Sequence, residues 1–463
     1  MKEQGKYSEG AGLFDSFHFR GRWWLPNRPD NRVHGTVYYS LAGISLELDG
    51  IFDLPEFRNR EPEVGGFRSD CILGMSLEGD LCTILRVFFQ EQSSALILGG
   101  HELVIGAHCG SDDEIISGAL ISYTNLEEWA FVPTIRSETS ANVDHFVLSI
   151  PILAKSLFTV NETFPFRKLE LLVGVESSQR RGAFSAQARG YFECEFLGLL
   201  SVRTVKSVVR QLGNLLSILE GQATYATRIR LLMGSEPRPP VAELFQVPNA
   251  QALPSSIHGP LMPLSFKTLA EYTASLFASW FTNEELLGPV YNLLLSTMFH
   301  KGQPLETFFL SLMHAIETFH RRAYGGTYMS KASYEPIREL LVGAVPSGLG
   351  QEFEKKLKDM MEYGYQYSLR TRLKELLRSL KPETKTRFLE GDEKDFIDLV
   401  VKIRNYLTHY DETNRPSILD DIVKMYNLNR RLRALLIVLL LKYQSVPEDK
   451  AAAGVGARLD LAY

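Results

Sequence analysis

The sequence predicts an α+β multidomain protein in which an all-β, sandwich-like N-terminal domain precedes an all-α helical bundle. Two observations predict this fold class. Up to about residue 200, apolar residues alternate with polar ones between Gly, Pro, Asp and Asn, which is typical of strands. After Leu200, apolar residues recur at intervals of three and four, which is typical of helices. The 463 residues, 45% of them hydrophobic, are enough for two or three domains with buried cores.

The first predicted domain, residues 1–200, consists of short strand-like segments. The stretch 35–52, GTVYYSLAGISLELDGIF, alternates apolar and polar residues between glycine turns. Later segments follow the same pattern, namely CTILRVFF, SALILGG, HELVIGAH, HFVLSI and ARGYFECEFLGLL. Because strands recur with few helical patterns between them, we expect a sandwich or a barrel-like sheet.

The periodicity changes in residues 201–300, which we interpret as a helical and Pro-rich connecting region. Its first segment places seven aliphatic residues at helical spacing: Val205, Val208, Val209, Leu212, Leu215, Leu216 and Leu219. Pro-rich stretches follow at 235–240 and 253–263.

From about Phe266 onward the chain is predicted to be nearly all helical. The apolar spacing predicts helices over 267–279, 283–299, 304–323, 333–342, 350–362, 368–379, 392–409 and 418–442. We place the helical domain at 301–445. The last residues, 446–463, are expected to be a flexible tail.

Charge and cysteine content narrow the classes of function. The chain has a formal net charge of -5, yet residues 301–445 carry a net charge of +5. A basic C-terminal part fits a polyanionic partner, although ordinary surface variation explains so small an excess equally well. The four cysteines form no C-x-x-C pair, so no zinc site is expected. No other metal and no cofactor are expected either.

Several kinds of site and of location are excluded by missing patterns. The chain contains no G-x-x-x-x-G-K-[ST], no G-x-G-x-x-G and no H-E-x-x-H. It begins without an apolar secretory segment, and its longest apolar run, 434–441, is too short to span a bilayer. A cytoplasmic protein without a membrane segment is therefore expected.

The stretch 402–412, KIRNYLTHYDE, is the strongest candidate for a site. In the helix predicted from Asp392, the apolar stripe comprises Phe396, Val400, Ile403 and Leu407 and continues to Tyr410. Asn405 and His409 lie together on the opposite face, and Arg404 flanks them, about 140° from His409 on an ideal helix. A structural cation at a helix C-terminus is the alternative. The spacing alone is weak, because Arg28 and His34 in the strand-rich part have nearly the same separation.

The context of this stretch adds a resemblance to a known family. RNYLTHYD, in a late helix of a basic helical domain, resembles HEPN ribonucleases, and in particular their ApeA-like branch. The segment 308–322, FFLSLMHAIETFHRR, resembles the first helix of that domain and carries Glu317. Segments 363–377 and 421–443 resemble its middle and closing parts. At the other end of the chain, GRWWLPNRPDNRVHGTVYYSLAGISLELDG and SYTNLEEWAF are similar to the ApeA-type N-terminal domain.

The resemblance implies a metal-independent endoribonuclease of anti-phage defence by abortive infection, acting on RNA and on tRNA especially. It implies that Arg404 and His409 form an Arg-x4-His motif, and that two protomers of a homodimer join their motifs in one site. The residue types suit this chemistry, because RNA supplies the 2′-OH nucleophile and histidine transfers protons near neutral pH. Arginine offers a fixed charge with several donors to a developing phosphorane.

Other residues are assigned supporting roles. Asn405 could orient His409 or donate to phosphate, and Tyr410 and Asp411 could position His409. Arg370 and Arg372 could bind the RNA backbone, with surface ion pairing as the alternative. The N-terminal domain is expected to sense a phage-derived trigger or to restrain the nuclease.

Two other hypotheses remain open at this stage. The first is a non-catalytic RNA- or partner-binding protein, with a β-sandwich recognition module on a helical dimerisation domain. The second is a sugar-binding β-sandwich, which rests on analogy of fold alone.

Overall fold

The computed structural model describes residues 5–7, 10–52, 68–92, 95–130, 136–139, 146–149, 155–180, 183–250, 262–300, 302–346, 348–389, 391–410 and 415–460. The chain divides into two compact units, Met1–Thr282 and Asn283–Tyr463. The first is rich in strands and the second is helical, so the predicted fold class is confirmed. Much of the expected connecting region belongs to the first unit, because its helix and two strands pack into that unit.

The strand-rich unit contains these elements in chain order: β1 Gly5–Lys6, β2 Phe17–Trp24, β3 Val33–Ser40, β4 Gly43–Leu48, β5 Arg68–Ser76, β6 Leu81–Gln92, β7 Leu96–Gly100, β8 Glu102–Ile105, β9 Ile116–Tyr123, α1 Leu126–Ala130, β10 Arg136–Thr139, β11 Phe146–Ser149, β12 Lys155–Thr163, β13 Phe166–Arg180, β14 Ala183–Leu200, α2 Val202–Glu220, β15 Ala226–Met233, β16 Val241–Gln246, α3 Phe266–Leu269 and α4 Thr273–Thr282.

Six strands of this unit close on themselves. β2 pairs with both β3 and β5, β5 pairs with β6, and β6 continues through β7 and β4 back to β3. β6 also pairs with β8, which begins the series β8-β16-β15-β9-β14-β13-β12. The inward side chains of the closed strands are buried, Trp23, Tyr39 and Ile72 among them. These strands therefore form one branched sheet, which the alternation pattern alone could not distinguish from a sandwich, while β10 and β11 pair in a separate sheet.

Helix α2 forms where the sequence predicts it. The side chain of Ser201 accepts a hydrogen bond from the amide of Thr204, at 3.3 Å, and so caps the helix start. The helix ends at Gly221, whose φ of 74° suits glycine. All seven aliphatic residues of the predicted stripe are buried, so the stripe is confirmed.

The buried carboxyl of Glu220, at the end of α2, gives a prediction about pH. Burial raises its pKa to about 8, although Asn125 Nδ2 and Thr224 Oγ1 both donate to its Oε2. Between pH 4.5 and about 8 this group is therefore protonated in the folded protein and ionised in the unfolded chain. Folding then takes up a proton, so stability falls as the pH rises through this window.

We expect Glu220→Gln to remove this dependence. The amide imitates the neutral acid, and its oxygen keeps both hydrogen bonds. The variant should be more stable than the wild type at pH 8 by roughly 1–4 kcal/mol, and equally stable near pH 4.5. Urea unfolding at both pH values measures the difference, and equal curves at pH 8 would contradict the raised pKa.

The helical unit contains α5 Glu284–Phe299, α6 Leu305–Tyr324, α7 Lys331–Gly343, α8 Gln351–Met361, α9 Leu369–Arg378, α10 Pro382–Phe388, α11 Glu393–His409, a 3-10 turn Ser417–Asp420, α12 Ile422–Tyr443 and α13 Glu448–Asp460. The long helices lie within a few residues of their predicted bounds. The apolar spacing did not predict α10, a seven-residue helix with Pro382 in its first turn. No helix in the described part of the chain is both long and apolar enough to cross a bilayer.

The prediction of a flexible tail at 446–463 is wrong over 448–460, which form α13. Ala451, Ala452 and Val455 are buried against the helical unit. Glu448 accepts hydrogen bonds from the amide of Lys381 and from Lys442 Nζ, both at 2.7 Å. This packing could not be predicted from the sequence, because the helix buries small residues and has no stripe of large apolar residues.

Candidate active site

Helix α11 carries the candidate motif. Its predicted stripe is buried at Phe396, Val400, Ile403 and Leu407, so this face is confirmed as the packing face. The helix packs against α9 and α6. It ends because Tyr410 turns into the left-handed region, with φ 52°, and donates its amide to the Tyr406 carbonyl at 2.6 Å.

The opposite face of α11 carries the polar residues of the motif. Asn405 and His409 are exposed and Arg404 is half-buried. Arg404 Nη1 lies 3.4 Å from Asn405 Oδ1, and Thr408 Oγ1 donates to the Arg404 carbonyl at 2.7 Å. Within the described ranges, no side chain hydrogen bonds to the His409 imidazole. The helix therefore presents a guanidinium, an amide and an imidazole to solvent along one side.

Tyr410 does not continue the buried stripe, contrary to the prediction. Its side chain is 63% exposed, because the left-handed turn directs it away from the core. Its ring centroid lies 5.6 Å from that of Tyr406, and the Arg415 guanidinium lies 5.9 Å from the Tyr406 ring. Tyr406 is buried, so Tyr410, the residue after His409, is the exposed ring of this pair. Asp411 lies outside the described residues.

Comparison with known protein families shows which family the chain belongs to. The family model for ApeA N-terminal domain 1 matches residues 18–280, more than half of the chain. The chain belongs to the ApeA-like family. The model for Apea-like HEPN matches residues 310–450, which contain the whole candidate motif. No curated protein and no solved structure matches the chain. The ApeA-like resemblance and the C-terminal HEPN domain are thereby confirmed.

Glu317, on the HEPN helix α6, has a local partner. Its carboxylate pairs with Arg321, one turn further along the same helix, at 3.2 Å. Among the residues that the structure describes, no hydrogen bond or ion pair joins Glu317 to Arg404 or His409. Its supporting role therefore stays a prediction, made through the packing of α6 against α11.

The two arginines predicted to bind RNA differ sharply in exposure. Arg370 is exposed on α9 and forms an ion pair with Asp398 on α11. Arg372 is only 1% exposed, so the prediction that it binds the RNA backbone is wrong. Its Nη1 donates to His320 Nδ1 and to the Gly325 carbonyl, both at 3.0 Å, and its Nη2 donates to the Gly326 carbonyl at 3.3 Å.

His320 is the buried centre of this network, and no pattern in the sequence singled it out. A guanidinium can only donate, so Nδ1 of His320 accepts and its proton lies on Nε2, which donates to Glu375 Oε2 at 2.8 Å. Burial lowers the pKa of His320 and also that of Arg372. The only sequence signal is Gly326, where a Cβ would approach Arg372 Nη1 to 2.7 Å, so a residue without a side chain leaves room for the guanidinium.

We expect Arg372→Met to destabilise the helical unit by about 2–4 kcal/mol. It leaves a buried ring nitrogen and two carbonyls without their donor, and such groups are expensive to leave unpaired. Arg370→Met is the matched control on the same helix, and loss of its exposed ion pair should cost about 1 kcal/mol or less. Urea unfolding of the full chain measures both values, and equal losses would contradict the structural role of Arg372.

Proposed function

We propose that this protein is a metal-independent endoribonuclease of anti-phage defence, which cleaves RNA with Arg404 and His409 of its HEPN domain. Family membership supports nuclease activity in defence. The observation that carries the residue assignment is the solvent-facing row of Arg404, Asn405 and His409 on a helix whose other face is buried. These residue types suit RNA, which supplies its own nucleophile.

The proposed reaction is attack of the 2′-oxygen on the adjacent phosphorus. The bond from phosphorus to the 5′-oxygen breaks, and the products are a 2′,3′-cyclic phosphate and a 5′-hydroxyl. One imidazole takes the proton of the 2′-OH, and a second gives a proton to the leaving 5′-oxygen. Arg404 stabilises the charge that develops on the phosphorane oxygens. Asn405, at 3.4 Å from Arg404, holds the guanidinium in place or donates to the same phosphate.

The proposal requires a homodimer. One His409 cannot act at the same phosphate as both base and acid in a single step, so a second copy of the motif supplies the other imidazole. Exposed side chains beyond the motif support a partner surface, since Ile422, Val423 and Tyr426, in the first two turns of α12, are all at least half exposed. Apolar exposure of this kind is typical of surfaces that bind another chain.

Incubation of the purified protein with total cellular RNA tests this proposal. We expect discrete tRNA fragments ending in 2′,3′-cyclic phosphate, unchanged cleavage in excess EDTA, and a specific activity that falls on dilution as dimers dissociate. Loss of cleavage in EDTA would contradict the metal-independent mechanism. Retention of RNA without any fragments would favour the non-catalytic binding protein.

A further inference from the structure

A cationic cleft in the strand-rich unit has no role in the proposed nuclease. It has a volume of about 280 Å³ and is lined by Arg86, Arg203, Lys206, Arg210 and the single carboxylate Glu102. Three of the cations belong to α2 at spacings of three and four, so they lie on one face of that helix. Arg86 reaches the cleft from β6.

The charge of this cleft is only partly neutralised. Glu102 is 2% exposed and accepts from Arg86 Nε at 3.0 Å and from Lys206 Nζ, so one carboxylate serves two cations. Arg203 is held by Asp112, with Nε–Oδ1 at 2.9 Å, so the three cations Arg86, Arg203 and Lys206 face two carboxylates, Glu102 and Asp112. The side chain of Arg86 remains 45% exposed, and its φ of 51° is uncommon for a non-glycine residue. The cleft therefore keeps a surplus of positive charge.

Two further features suit an anion. The first turn of α2, at Val202 and Arg203, lines the cleft, and a helix N-terminus favours negative charge. Ser111 also lines it and is 4% exposed, and its buried Oγ has no hydrogen-bonding partner within the described ranges. A buried hydroxyl without a partner is unusual in a folded protein, and a bound phosphate oxygen would satisfy it.

An adjoining cleft offers an aromatic surface. It has a volume of about 550 Å³, includes Arg86 in its lining, and is also lined by Arg68, Asp70, Phe88 and His101. Phe88 is 37% exposed, and its ring centroid lies 5.4 Å from the His101 ring. The Phe88 ring lies directly over Gly99, where a Cβ would approach it to 2.3 Å. Exposed aromatic rings beside cations are the usual support for a nucleobase.

We propose that these two clefts form a nucleotide-binding site, with phosphate held by Arg203, Lys206, Arg210 and Ser111 and the base resting on Phe88 and His101. Arg86 lies between the two subsites, since it lines both. The ligand is a single nucleotide rather than a polynucleotide, because the phosphate cleft is small and the combined space is that of an ordinary small-molecule site.

Calorimetric titration of the full-length protein tests the site. The probes are the ribonucleoside 5′-monophosphates and 5′-triphosphates, the matching nucleosides and inorganic pyrophosphate. We expect at least one nucleotide to bind, and its nucleoside to bind at least about tenfold more weakly. Arg203→Gln and Arg210→Gln should each weaken nucleotide and pyrophosphate, whereas Phe88→Ala should weaken the nucleotide alone.

Two control variants distinguish binding at this site from a general effect of surface charge and from binding at the HEPN motif. Arg238→Gln removes an exposed arginine of the same unit, and Arg404→Ala alters the HEPN motif; both should keep wild-type affinity. Equal thermal midpoints establish that the variants are folded. The proposal is overturned if no nucleotide binds with a Kd below about 1 mM, or if Arg203→Gln and Arg210→Gln both bind nucleotide like the wild type. It is also overturned if nucleosides bind as tightly as nucleotides, or if no nucleotide binds more tightly than pyrophosphate.

Discussion

Replacing His409 with alanine is expected to reduce RNA cleavage by at least roughly 10²–10⁴-fold, the usual contribution of one acid–base group, because a homodimer of the variant loses both imidazoles of the composite site. The helical unit should remain as stable as in the wild type. His409 is exposed at the end of α11, and no described side chain hydrogen bonds to it, so its removal leaves no buried group without a partner. A loss of activity would then reflect the loss of a catalytic group and not unfolding of the protein.

His314→Ala is the matched control for this experiment. His314 is also an exposed histidine on a long helix of the same unit, α6, but lies outside the motif. Single-turnover cleavage of a purified tRNA should be unchanged in His314→Ala and lost in His409→Ala, with equal RNA binding in both. Wild-type cleavage by His409→Ala would remove the assignment of this residue.

The helices were predictable because their signal is local. The stripes of α2 and α11 repeat large apolar residues at helical spacing, and those residues are buried. Helix α13 escaped prediction because its contacts are made by alanines, and because Gly456 fits closely against Arg387. The sequence left a sandwich and a barrel-like sheet as equal expectations for the strands, since the pairing of β2 with β5 joins residues about fifty positions apart and does not alter the alternation of apolar and polar residues.

In the candidate site, too, the features set by one helix were predicted and those set by contacts between elements were not. The exposure of Asn405 and His409 follows from 100° per residue along one helix, so the sequence predicts it correctly. Arg372 was mispredicted because its burial depends on a space beside Gly326 and on His320, residues from another element. Tyr410 was mispredicted because the helical periodicity was extended one residue beyond the helix, into a left-handed turn.

Replacing Arg404 with alanine is expected to lower the cleavage rate by roughly 10²–10³-fold, because it removes the charge that stabilises the phosphorane. Arg404→Lys should restore only part of the rate, since an ammonium cannot offer the paired donors of a guanidinium. The effect should appear in kcat more than in RNA binding, which depends on many phosphate contacts. Arg378→Ala removes an exposed arginine from α9 and serves as the matched control; an equal loss of rate there would show a general charge effect.

Mixing wild-type and Arg404→Ala protein under conditions that exchange protomers tests the composite site. If each active centre needs a guanidinium and an imidazole from two protomers, a mixed dimer lacks one of its arginines and cleaves slowly. Activity should then follow the square of the wild-type fraction, because only wild-type pairs retain full function. A linear dependence on that fraction would mean that each protomer cleaves by itself. In that case the second imidazole would have to be replaced, as acid or base, by another group beside Arg404 on α11.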